Sequence, residues 1–300
     1  MRYAISIPQF VEDGSFDPAA LRIYLSEAEG FGFESGWTQE QVLGTMPSVS
    51  PLEMMTYAAA CTERLRLGCV VFVTPLHNPV HLAKALSSLD QLSRGRLEIG
   101  VGTGGQGRPF AAFGVSGEGL VSRFNEGLAL MKSLWTEPTV TLDGRFWQLD
   151  HAPMEPKPFQ KPYPPIWFGG NAPAALRRAV RHGSGFFGAG SQTTANFVGQ
   201  VQQVRRELAE QDRDPATFQI AKRVYIGVGD ESVQGRVADT LGQLYRHAGP
   251  EIAEVAVSGS PDECAAGLRD KYRSEGRAVE AAEYEPAMHV TPNAIALKDD

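Results

Sequence analysis

The chain has 300 residues, 42% of them hydrophobic, and a formal charge of −7 from 28 basic and 35 acidic side chains. That balance, with no lysine- or arginine-rich run, argues against nucleic acid or an anionic membrane as a partner. No stretch approaches the ~20 apolar residues of a membrane span, and Cys61, Cys69 and Cys264 lack CxxC spacing, so free thiols are expected rather than a disulfide frame or zinc site.

The predicted elements alternate between strand and helix. The opening MRYAISIPQF carries one basic residue and an apolar run broken at Pro8, too short for a signal peptide, so a cytoplasmic protein is expected. Residues 3–8 read as a strand, and Asp17–Pro18 starts a helix to about Gly30. Residues 32–38 read as a second strand, followed by the helix PLEMMTYAAACTER from Pro51. Residues 65–73 (LRLGCVVFV) are almost wholly apolar, as in a parallel strand buried on both faces. Asn78–Pro79 supplies a cap and first turn for a helix to Leu92, and residues 96–101 form strand four.

The alternation then breaks. Residues 139–149 (TVTLDGRFWQL) read as a hairpin about Asp143–Gly144. The following MEPKPFQKPYPP is a proline-rich loop, and with the hairpin it is placed to lid a site. Strand five at 166–168 leads into a helix at 172–182. Strand six at 185–188, a helix at 196–211, strand seven at 218–228 and a helix at 230–247 follow. Ser260–Pro261–Asp262–Glu263 starts a helix to Gly276, and strand eight is placed at 287–291 in preference to 278–283. With no linker or repeat, residues 1–300 are read as one α/β domain. The architecture is a (β/α)8 TIM barrel with an insertion of roughly 25 residues before strand five.

Five segments in this order carry a resemblance: GFESGWTQEQ, LRLGCVVFVTPLHNPVHLAK, LSRGRLEIGVGTGG, the RFNE…LW helix at 123–135, and PPIWFGG. Together they resemble the luciferase-like monooxygenase superfamily of flavin- or deazaflavin-dependent barrels, and within it the branch that uses coenzyme F-420. The resemblance implies hydride transfer between F-420 and a small organic substrate. The alternatives are a reduced-FMN monooxygenase with a separate flavin reductase, and a flavin-binding barrel without turnover. It implies a homodimer.

Residue by residue, the resemblance assigns the cofactor phosphate to Gly169, Gly170 and Asn171, where N–H groups open a helix. Thr103, Gly104 and Arg123 belong beside it, the last as a bidentate donor. Val71 and Phe72 lie behind the ring, with a bulge and a non-prolyl cis peptide expected within residues 71–73. Glu40 and Gln41, at the exit of strand two, and His77, after strand three, are the candidate catalytic groups for proton transfer. Arg108 is placed to reach an anionic group. The chain departs from many relatives in having Gln41 where they carry a histidine, and Gly105 where sugar-phosphate-oxidising relatives carry an acid. This argues against a sugar-6-phosphate dehydrogenase.

Overall fold

The computed structural model describes residues 2–10, 15–44, 47–105, 110–230, 232–245, 252–280 and 288–294, so Arg108 lies outside the described residues. The first elements are β1 (Arg2–Ser6), α1 (Pro18–Gly30), β2 (Ser35–Thr38), α2 (Pro51–Cys61), β3 (Arg66–Val73), α3 (Pro79–Leu92), β4 (Leu97–Gly102) and α4 (Leu120–Thr136). A hairpin of β5 (Val140–Asp143) and β6 (Gln148–Ala152) precedes β7 (Ile166–Gly169), α5 (Pro173–His182), β8 (Gly185–Gly188) and α6 (Thr194–Glu210). The last are β9 (Gln219–Val228), α7 (Val233–Tyr245), α8 (Ile252–Val255), β10 (Ala256–Gly259), α9 (Pro261–Glu280) and β11 (Met288–Ala294). The chain forms two compact units, residues 7–167 and residues 1–6 with 168–300.

In the unit of residues 7–167, β2, β3 and β4 run parallel, with Ser35 opposite Arg66 and Leu67 opposite Leu97. Every residue of β2 and β4 is buried, as in strands covered on both faces. Asp17 caps α1 by accepting from Ala19 and Ala20 N–H, and Asn78 caps α3 by accepting from Val80 and His81 N–H. Such caps contribute ~1 kcal/mol each.

Strand β3 shifts register between Cys69 and Phe72, and the Val70–Val71 peptide is cis. The expected bulge is therefore present, while the cis bond lies one residue before the expected window, because a bulge adds a residue that sequence spacing does not display. The bulge dictates glycine in the facing strand. A Cβ at Gly100 would collide with the Cys69 carbonyl oxygen, and one at Gly102 would stand 2.7 Å from Val71 Cγ2. Two glycines of the GVGTGG run thus serve strand packing.

The proline-rich stretch is strapped to α3 and α4. Asp90, fully buried on α3, accepts from Gln160 N and Nε2, both at 2.8 Å. Gln91 Nε2 donates to Lys157 O at 2.8 Å, and Lys157 Nζ donates to Leu134 O at 3.0 Å. The hairpin is gripped at its turn by Glu126 of α4, which accepts from Arg145, Phe146 and Trp147 N–H at 3.1, 2.8 and 3.1 Å.

In the other unit, β8 pairs with β9, β9 with β11 and β11 with β1, all parallel. Strand β11 begins one residue after the preferred 287–291 placement, while 278–280 belong to α9, which outruns its expected end at Gly276. Strand β10 was not foreseen in the sequence. Its four residues pair with Tyr225 to Val228 and bury Val257 with Val224, Ile226 and Cys264. A run that short has no readable period.

Candidate functional site

The exits of β2 and β3 bring two candidate residues into contact. Glu40, 7% exposed, lies two residues beyond β2. Its Oε2 accepts the Val73 N–H at 2.7 Å, and its Oε1 lies 2.7 Å from His77 Nε2. His77 follows the 3-10 turn Thr74–Leu76 and donates its backbone N–H to Thr74 O at 3.1 Å. Its side chain is 25% exposed and sits edge-on to Phe72, with ring centres 6.1 Å apart.

The chemistry of this pair follows from its donors. An ionised carboxylate only accepts, so Glu40 selects the histidine tautomer with hydrogen on Nε2 and leaves Nδ1 as an acceptor. Among the described residues no hydrogen bond reaches Nδ1. A carboxylate that orients an imidazole, with the other ring nitrogen available, can take up and return a proton. Burial of Glu40 is tolerable because both its oxygens have partners.

The surroundings hold the pair. Thr38 Oγ1 donates to Gly68 O at 3.0 Å, fixing the end of β2 on β3. The Gln9 carboxamide, 2% exposed, brackets Gln39. Thr74 Oγ1 is buried without a hydrogen-bond partner among the described residues. No sequence signal singled out Gln9 or Thr74, since neither belongs to a recognisable spacing.

The other candidates lie as follows. Gln41 is half-buried with its carboxamide folded against Gly44, where a Cβ would collide with Nε2. Val71 and Phe72 flank the bulge, Phe72 fully buried and Val71 half-buried. Thr103 and Gly104 leave β4 half-buried, Gly104 at φ +77°. Arg123 Nε donates to Pro75 O at 3.1 Å, while its guanidinium lies 4.6 Å from the Trp147 ring centre and 5.6 Å from that of Phe146. Trp147 is thus half-buried beneath a cation.

In the unit containing α5, Gly169 ends β7 and Gly170 takes φ +145°, where an added Cβ would stand 2.9 Å from Ala175 Cβ. Asn171 is exposed, and its Oδ1 accepts from Gln200 Nε2 of α6 at 3.2 Å. Asn171 borders an open cleft of about 370 Å³, also lined by Gln192, Asn196 and Arg206.

The luciferase-like monooxygenase family profile matches residues 1–279. The chain belongs to that family. Among its curated relatives is an F-420-dependent glucose-6-phosphate dehydrogenase of Kineococcus radiotolerans, 32% identical over 57% of this chain and 52% of that protein. Another is an FMNH(2)-dependent dimethylsulfone monooxygenase of Pseudomonas putida, 26% identical over 75% of this chain and 61% of that protein. The chain spans about half the length of the curated relatives it matches, 46% of one and 52% of another. The solved structure of monooxygenase RslO1 from Streptomyces bottropensis matches with a TM-score of 0.83 at 23% identity, covering 98% of this chain and 92% of that one. The likeness shows that this luciferase-like chain shares that α/β fold. Among the described residues no helix is long and apolar enough to cross a membrane.

Proposed function

We propose that this luciferase-like protein is an oxidoreductase that uses coenzyme F-420 to move hydride to or from a small organic substrate, with His77 as the acid–base group. The observation that carries the reading is the 2.7 Å contact between Glu40 Oε1 and His77 Nε2 at the exits of two parallel strands. Barrel enzymes place their chemistry at strand exits. Glu40 orients the imidazole through its 2.7 Å contact. His77 then takes the substrate's hydroxyl proton, or returns one to a carbonyl oxygen, through Nδ1.

The residues present fit a flat ring system. Beside the bulge of β3 the Thr74 hydroxyl lacks a partner, and beyond β4 an added Cβ at Gly105 would meet nothing within 4 Å. Val71, Phe72, Thr103, Gly104 and Arg123 are assigned to hold the ring and its chain, and Gly169, Gly170 and Asn171, which lead from β7 to the N-cap of α5 at Ala172, are assigned to a phosphate. A bound deazaflavin would provide the hydride chemistry, while this chain's residues position the substrate and exclude water. The strands and helices are assigned to one (β/α)8 barrel.

A second reading has its own support, since one relative is named as an FMNH(2)-dependent monooxygenase. That reading requires reduced FMN, oxygen and a separate flavin reductase. Titration of the purified protein with oxidised F-420 and with FMN, followed by tryptophan quenching, separates the two. The F-420 reading expects micromolar binding and at least tenfold weaker FMN binding. The reverse preference, repeated with reduced FMN, overturns it in favour of the oxygenase, and binding of neither overturns both.

A further inference from the structure

We propose that Gln9 is a positioning residue for the carboxylate–histidine pair, an inference that rests on the acid–base reading of Glu40 and His77. Ile7 N–H donates to Trp37 O at 2.9 Å, a rung of a parallel ladder. In a parallel ladder the next two rungs join the main chains, from Gln39 N–H to Ile7 O and from Gln9 N–H to Gln39 O. Here both Gln39 groups are met by a side chain instead. Gln9 Oε1 accepts the Gln39 N–H at 2.6 Å, and Gln9 Nε2 donates to Gln39 O at 2.6 Å.

The carboxamide therefore stands in for a strand at the residue immediately before Glu40. Its Nε2 also donates to Val49 O at 3.3 Å, and its backbone oxygen accepts the Val49 N–H at 2.9 Å, so the returning segment is held by the same residue. Glu40 thus departs from a backbone fixed at Thr38 by a hydroxyl and at Gln39 by an amide. Its carboxylate meets Val73 and His77, whose positions are set separately by β3 and the turn after it. Both oxygens can engage at 2.7 Å only if the two backbones keep their spacing. Gln9 touches neither His77 nor the reacting atoms and acts through Glu40.

The test needs no substrate. In the intact protein, imidazole nitrogen NMR reports which ring nitrogen of each of the six histidines carries the proton. Amide exchange reports the Val73 N–H. Wild type is expected to show His77 with hydrogen on Nε2 and a protected Val73 amide. Gln9→Met keeps the length and removes both polar groups. It is expected to mix the His77 tautomers and speed Val73 exchange at least tenfold, leaving the other histidines unchanged. Unchanged His77 and Val73 signals in a folded Gln9→Met protein overturn the proposal. If that variant does not fold, Gln9→Glu, which keeps an acceptor for the Gln39 N–H, is read by the same two signals, with the same result counting against it. The acid–base reading fails separately, by full hydride transfer in His77→Asn, whatever the NMR of Gln9 variants shows.

Discussion

Arg123 places its guanidinium 4.6 Å from the centre of the Trp147 ring while its Nε holds the Pro75 carbonyl, two residues before His77. One side chain of α4 thus connects the hairpin to the turn that carries the histidine. Glu126, three residues further along α4, grips the same hairpin turn through three backbone N–H groups. The Arg and Glu of RFNE are two halves of one clamp.

Arg123→Ala is expected to lower stability by roughly 1–2 kcal/mol, the value of a half-buried cation–π contact and one charged hydrogen bond. Arg123→Lys should recover only part of this, since an ammonium lacks the planar face. Thermal unfolding measures the loss, and Trp147 emission reports the hairpin. An Arg123→Ala protein with unaltered stability and emission would show that the clamp contributes nothing.

Glu40→Gln and His77→Asn should each slow hydride transfer by about 10²- to 10⁴-fold, with F-420 affinity within threefold of wild type. Single-turnover kinetics with any substrate the wild type accepts gives the rate. Equal losses in the single and double variants identify one working unit, whereas independent effects multiply.

The two ends of the glycine run should respond in opposite ways to alanine. Gly100→Ala forces a methyl into the Cys69 carbonyl of the bulge, an overpacking expected to cost about 1–3 kcal/mol. Gly105→Ala enters open space and should be within ~0.5 kcal/mol of neutral. Urea midpoints distinguish them, and equal midpoints contradict the packing role of Gly100.

Glu207 of α6 gives a pH prediction with a definite sign. Burial pushes its carboxyl up, but hydrogen bonds from Arg177, Gln203 and Gln211 outweigh that and hold it below the ordinary carboxylate value. A group depressed in the folded state adds stability above its unfolded value and loses it as pH falls through the folded one. Wild type should therefore lose stability more steeply on acidification from roughly pH 5 to pH 3 than Glu207→Gln does. Parallel melting curves in that range would remove the assignment.

Asp90 carries the strap. Asp90→Ala removes the acceptor of the half-buried Gln160 backbone N–H and one of the two acceptors of its Nε2, which keeps Leu97 O, with an expected loss of about 1–3 kcal/mol. Faster proteolysis within residues 153–165 should accompany it. A variant as resistant to protease as wild type argues that the other strap bonds suffice.

Much of this protein is local and was legible along the chain. The N-caps at Asp17 and Asn78, the apolar β3 and the hairpin after α4 depend on neighbours a few residues apart; the caps and β3 stand where periodicity and turn chemistry place them, and the hairpin forms with its loop at 144–147, since Asp143 still pairs with Gln148. The five segments of the family resemblance were equally visible, and they located Glu40 and His77 as candidates. That these two residues, 37 apart in sequence, meet at 2.7 Å was decided only by tertiary structure. So were the substitution of the Gln9 side chain for two ladder rungs, the shared clamp of Arg123 and Glu126, and the strand-packing role of Gly100. The physical reason is common to all four. Pattern fixes which face of an element is apolar, but side chains converge through strand register, and register here turns on a bulge of one residue in β3.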